Sequence, residues 1–122
     1  MVTARSASSR IWLAHALYFV IGGLWAIAGR RSFEWVTGPK TDYWLVRTVG
    51  GLLAAVGGVI GLAGARQRIT PEIRLLAVTT SGVLAAIDVI AFAAGRIRPV
   101  YLLDALANSI LIGSWLARKD NE

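Results

Sequence analysis

Charge is missing from four stretches of the chain. Between Ile11 and Gly29 only His15 can carry one, between Thr48 and Ala65 nothing can, between Leu75 and Gly95 only Asp88 can, and between Val100 and Ala117 only Asp104 can. Each stretch approaches the roughly 20 residues that a helix needs to cross about 30 Å of hydrocarbon. The runs are rich in Ala, Leu and Gly and lack the alternation of a lipid-facing barrel strand, whereas a helix satisfies its own backbone in lipid. The pattern predicts an all-α integral membrane protein: one domain over residues 1–122, a bundle of four transmembrane helices at about 11–29, 43–65, 71–95 and 99–117. The competing reading of the first run is a cleaved signal peptide, with Arg5 and Arg10 ahead of the apolar core and Ala26-Ile27-Ala28 as a small-residue site. The length of the run and the presence of His15 favour a retained helix.

Composition supports the same class. Of 122 residues 56% are hydrophobic and 16% charged, against about a quarter charged in ordinary soluble domains. A water-soluble globule would lack the polar surface to cover itself. The chain has no Cys, which excludes disulfides, thiolate catalysis and iron–sulfur ligation, and its single His leaves no second axial ligand for a bis-His haem. We therefore expect no cofactor and no metal site. The net charge of +6 is assigned to the membrane interface, where anionic headgroups are its natural counterpart, so membrane lipids are expected partners and nucleic acid is not.

The connections carry turn and cap signals. RRSFEWVTGPKT joins the first two helices, with Gly38-Pro39 as a turn and Thr41 or Asp42 placed to cap the second helix. Thr70, Pro71 and Glu72 form a helix-start signature for the third. GRIRP is short enough to make the third and fourth helices antiparallel neighbours. Four crossings place both ends of the chain on one side. That side holds Arg5, Arg10, Arg66, Arg68, Arg74, Arg118 and Lys119, against Arg30, Arg31, Lys40, Arg47, Arg96 and Arg98 on the other, which favours cytoplasmic termini by one charge. Trp12 and Trp115 are expected in the aromatic belt at the terminal side, and Tyr43, Trp44 and Tyr101 at the far side.

The second helix carries two stripes of small residues at four-residue spacing: Gly50, Ala54, Gly58 and Gly57, Gly61, Ala65. Such stripes let helix backbones approach closely in lipid. Packing within the monomer is the preferred reading, and a homodimer seam is the other; two stripes can serve both.

A charge at the centre of a transmembrane helix costs about 2.5 to 3.5 kcal/mol on insertion scales, so Arg47, Asp88 and Asp104 need explaining. At 1.5 Å per residue all three fall about 8 to 9 Å below the far face, which predicts that one basic and two acidic groups meet. Tyr101, Asp104 and Asn108 share a face at i, i+3, i+7, Ser81 and Asp88 share one at seven, and Tyr43 and Arg47 are neighbours at i, i+4. The candidate ligand site is therefore Arg47, Asp88, Tyr101, Asp104 and Asn108. Three readings remain open for it: a buried ion pair that fixes helix register, a cavity that binds an amine or hydroxyl, and a relay for protons or ions. No catalytic residue is assigned. His15 lies too near the terminal face to serve the cluster as a base, and is expected to hydrogen-bond Tyr18, Asn108, Thr79 or Thr80, or to face the interface.

The runs GPKTDYWLVRTVG, IDVI and GRIRPVYLLDA together resemble those of small bacterial four-helix membrane proteins of the DoxX-like and related domain-of-unknown-function type, over nearly the whole chain. The resemblance implies a location in the bacterial inner membrane and puts emphasis on Lys40, Trp44, Arg47, Asp88, Tyr101 and Asp104. In architecture the chain is also distantly similar to EXPERA-type proteins, whose acidic cavity residues bind cationic amines or serve sterol isomerisation. The functional expectation is a protein that binds a lipid-like or amphipathic molecule, or a partner subunit, around the Asp/Arg cluster. The alternatives are a lipid isomerase or a subunit of a quinone-linked oxidoreductase, and proton or ion translocation.

Overall fold

The computed structural model describes residues 10–38, 40–95 and 97–117. Arg5, Pro39, Arg96, Arg118 and Lys119, which enter the charge balance and the first turn, lie outside them. Among the described residues five helices follow one another: α1 (Ile11–Ala28), α2 (Arg30–Thr37), α3 (Tyr43–Ala65), α4 (Pro71–Ala93) and α5 (Val100–Ala117). No strand occurs among the described residues. The four long helices are each long and apolar enough to cross a membrane. Their bounds agree with the helices expected from the sequence to within two residues.

The connection before α3 is where the structure departs from the expected layout. Residues 30–37 are helical instead of a loop. Gly29 breaks α1, and α2 crosses the end of the bundle from α1 towards the start of α5. Phe33 on its inner side meets Trp25 and Tyr43 edge-on, at ring separations of 5.0 and 6.4 Å, and Arg30 pairs with Glu34 one turn on. An apolar inner residue and an i, i+4 ion pair support a helix this short only because tertiary contacts hold it.

The helix ends carry most of the predicted chemistry. Thr70 accepts from the Ile73 N–H with Pro71 in the first turn, as the start signature of α4 requires. Gly95, at φ +73°, closes the other end of α4 with its N–H on the Phe92 carbonyl. Asp42 stands at the start of α3, but its side chain makes no capping bond. The end of α3 is a Schellman turn: Arg68 N–H reaches Ala63 O and Gln67 N–H reaches Gly64 O, with Gln67 in the left-handed region at φ 56°.

Packing divides the long helices into two intimate pairs, α1 with α3 and α4 with α5. The first pair closes on glycine. Gly23 and Gly50 meet backbone to backbone, and a Cβ placed on Gly57 would lie 2.8 Å from Phe19 Cβ and 2.9 Å from Ala16 O. The line that touches α1 is Gly50, Ala54, Gly57, Gly61 and Gly64, which alternates steps of four and three and draws on both stripes. Gly58, by contrast, has open space around it, and Ala65 is exposed. The pairs join through Ala16, Ile60, Ala77 and Trp115, all buried, one from each long helix.

Candidate functional site

The inner faces of α1, α4 and α5 carry two layers of polar side chains. In the layer nearer the chain ends, His15 is fully buried between Ser81 and Trp115. Trp115 Nε1 donates to His15 Nδ1 at 2.8 Å, and His15 Nε2 lies 3.2 Å from Ser81 Oγ. An indole N–H can only donate, so Nδ1 accepts, and the neutral ring carries its proton on Nε2, directed at the serine. That polarity is the reverse of a nucleophile–base pair, in which the imidazole nitrogen must be free to take the hydroxyl proton. The layer is a structural bridge across three helices, and Phe19 closes it with an edge-on ring contact at 4.4 Å.

The second layer lies farther along the same faces. Ser81 to Asp88 and Asn108 to Trp115 are both separations of seven residues, about 10 Å of helix. Tyr18 OH donates to Asp104 Oδ1, and the Asp88 carboxyl lies beside that of Asp104. Asp88 is 7% exposed and Asn108 fully buried. Asn108 donates to the Asp104 backbone carbonyl at 2.9 Å. Two acceptors, Asp88 Oδ2 and Asn108 Oδ1, are buried without any hydrogen-bond partner in the protein. A buried acceptor left this way costs about 1 to 3 kcal/mol.

Three of the five residues expected in the site come together here: Asp88, Asp104 and Asn108. Arg47 does not join them. Its Nε donates to the Ile27 carbonyl at 3.1 Å, its guanidinium sits 5.2 Å from the Tyr43 ring, and the ion pair found among the described residues is Arg30–Glu34. Equal depth is not equal position: α3 is paired with α1, so its arginine meets the frayed carbonyls at the end of α1 before it can reach α4 or α5. Tyr101 also stands apart, its ring 5.3 Å from Lys40 Nζ, which itself holds the end of α2 through Thr37 O and Gly38 O.

Residues missed by the spacing argument are Tyr18, Ser81 and Trp115 as partners. His15 binds none of the side chains expected for it. Trp115 is buried, not part of an interfacial belt, and Tyr43 is buried too, with its hydroxyl on the Ala26 carbonyl at 2.7 Å. The seven-residue spacings from Ser81 to Asp88 and from Asn108 to Trp115 contain the signal, because each places both members on one helix face. No protein-family model, curated protein or solved structure matches the chain.

Proposed function

We propose that the chain is a multi-pass protein of the bacterial inner membrane, with both ends cytoplasmic, whose interior acidic layer binds the polar head of an amphipathic small molecule. Membrane insertion is supported by the outward side chains: Ile21, Leu52, Leu75, Ile90, Leu103 and Ile110 all point away from the bundle, an apolar surface far beyond what a monomer in water tolerates. The observation that carries the ligand reading is the pair of orphaned acceptors, Asp88 Oδ2 and Asn108 Oδ1, beside a carboxyl pair with no cation bridging it among the described residues. Such a layer calls for a donor, a hydroxyl or an ammonium. The depth of these atoms favours a small head group over a partner subunit, which cannot reach a fully buried Asn108. Tyr18, 38% exposed, is the member most open to the outside of the bundle, and Asp104 is partly exposed beside it. The likeness to EXPERA-type proteins points to the same chemistry. A second copy, where one binds, is proposed to use the free side of α3 at Gly51 and Gly58, which have open space around them.

The test is thermal melting of the detergent-solubilised protein with dodecylamine, dodecanol or dodecanoate. A donor-headed probe at 100 times its Kd should stabilise by about 2.7 kcal/mol, and Asp88→Asn and Asp104→Asn should abolish the shift. Stabilisation by the carboxylate alone, or by none of the three, overturns the reading. Native mass spectrometry of protein taken from its own membrane should then show the retained molecule.

A further inference from the structure

The end of the molecule that carries α2 is crowded with cations, and nearly all of them are already committed. Among the described residues Arg30 pairs with Glu34, Lys40 caps α2, Arg47 holds the Ile27 carbonyl, and Arg98 Nη1 donates to the Trp35 carbonyl. Of the described cations at this end, Arg31 alone has no hydrogen bond or ion pair to the described residues. It is exposed on the outer face of α2, four residues before Trp35, so the two side chains are neighbours on one stripe. Trp35 is held by its backbone carbonyl, yet the residue is 81% exposed, the most of any large apolar residue described.

An open groove of about 750 Å³ runs beside this stripe, lined by residues 28–32, Glu34 and Trp35. Its one acid, Glu34, is engaged by Arg30 Nε and by the Lys40 N–H, so the charge left to face outwards is positive. A spare guanidinium beside an exposed indole at a helix-crossing end matches the chemistry of the lipid headgroup region, where Trp rings sit and cations meet phosphate.

We propose that this groove and the outer face of α2, through Arg31 and Trp35, seat the headgroup of an anionic phospholipid. The inference rests on the reading that the long helices cross a bilayer, and it is independent of the interior acidic layer. Arg31 supplies a charge-assisted pair to the phosphate, and its planar fork suits two phosphate oxygens. Trp35 lies along the glycerol and upper acyl region.

The protein is reconstituted into vesicles of equal parts phosphatidylglycerol and phosphatidylcholine, recovered by flotation, and the lipids it retains are counted by native mass spectrometry. We expect flotation with the vesicles and a retained ratio of phosphatidylglycerol to phosphatidylcholine of about fivefold, the worth of one cation at the surface. Arg31→Gln should bring that ratio close to one, Arg31→Lys should keep part of it, and Arg68→Gln, an equal charge loss at the opposite end, should leave it unchanged. Failure to float overturns the membrane reading itself. Flotation without lipid preference, or a preference that Arg68→Gln lowers as much as Arg31→Gln, overturns the inference alone. Free glycerol 3-phosphate should not raise the melting temperature; if it does, the site is one for soluble phosphate and not for lipid.

Discussion

The helix α1 has two sides that make contact in opposite ways. Towards α3 it presents Ala16, Phe19, Gly23 and Ala26 to a line of glycines, and the seam is dry and close. Towards α4 and α5 it presents His15 and Tyr18, whose polar groups make hydrogen bonds between side chains. In lipid there is no hydrophobic drive to join two helices, so association comes from close backbone approach or from interhelical hydrogen bonds. This molecule uses each on a different side of one helix. The first is satisfied within the chain; the second, in its deeper layer, leaves two acceptors over. On the proposed reading, the difference separates what holds the fold from what is available for a ligand.

The glycine seam can be broken by one side chain. Gly57→Leu places a Cβ against Phe19 and the Ala16 carbonyl, and the backbone of α1 must move to admit it. We expect a loss of about 3 kcal/mol, the upper end of overpacking, measured as melting in detergent. Gly58→Leu, one position on and facing open space, should be neutral or gain up to about 1 kcal/mol from helix propensity. Equal losses at the two positions would mean that the seam does not lie where the structure puts it.

The polar side should respond with the opposite sign. Asn108→Leu keeps the branched shape and removes an orphaned acceptor, so the ligand-free protein should become more stable by about 1 kcal/mol, while any stabilisation by dodecylamine or dodecanol should shrink. A gain in stability bought with a loss of binding is the signature of a site held for function. If Asn108→Leu destabilises the ligand-free protein instead, the asparagine is structural and the site narrows to Asp88 and Asp104.

The two sides also differ in how well they can be read from sequence. The long helices follow from charge-free runs, because insertion cost is a property of single positions. Asp88 and Asp104 meet because both lie near the short turn joining α4 and α5, where depth measured from the turn is also proximity. Arg47 fails the same arithmetic because depth says nothing about which helix is next door, and α3 turns out to be paired with α1. His15 finds Trp115 across 100 residues of separation and Ser81 across 66, contacts set by helix rotation and not by any local pattern. The helix α2 escapes notice for another reason: eight residues with one inner aromatic ring and an ion pair carry no helical period long enough to see.

That same short helix supplies the smallest contrast, and it is one of pH. Glu34 accepts the Lys40 N–H at 2.8 Å and Arg30 Nε at 3.3 Å, and these contacts, the backbone bond first, hold its carboxyl below the ordinary value of 4.5. A depressed carboxylate stabilises the folded state above its unfolded value, and that contribution is lost as pH falls through the folded one. Acidification from pH 6 to below 4.5 should therefore loosen residues 31–38 locally. Residues 50–64, on the glycine seam, contain no titratable group and should not respond. Hydrogen exchange at the two pH values, corrected for the intrinsic rate, reads both segments in one sample. In Glu34→Gln the first segment should be equally mobile at either pH; if it still loosens only on acidification, another group holds α2 and the link from Glu34 to Lys40 and Arg30 is not what fixes it.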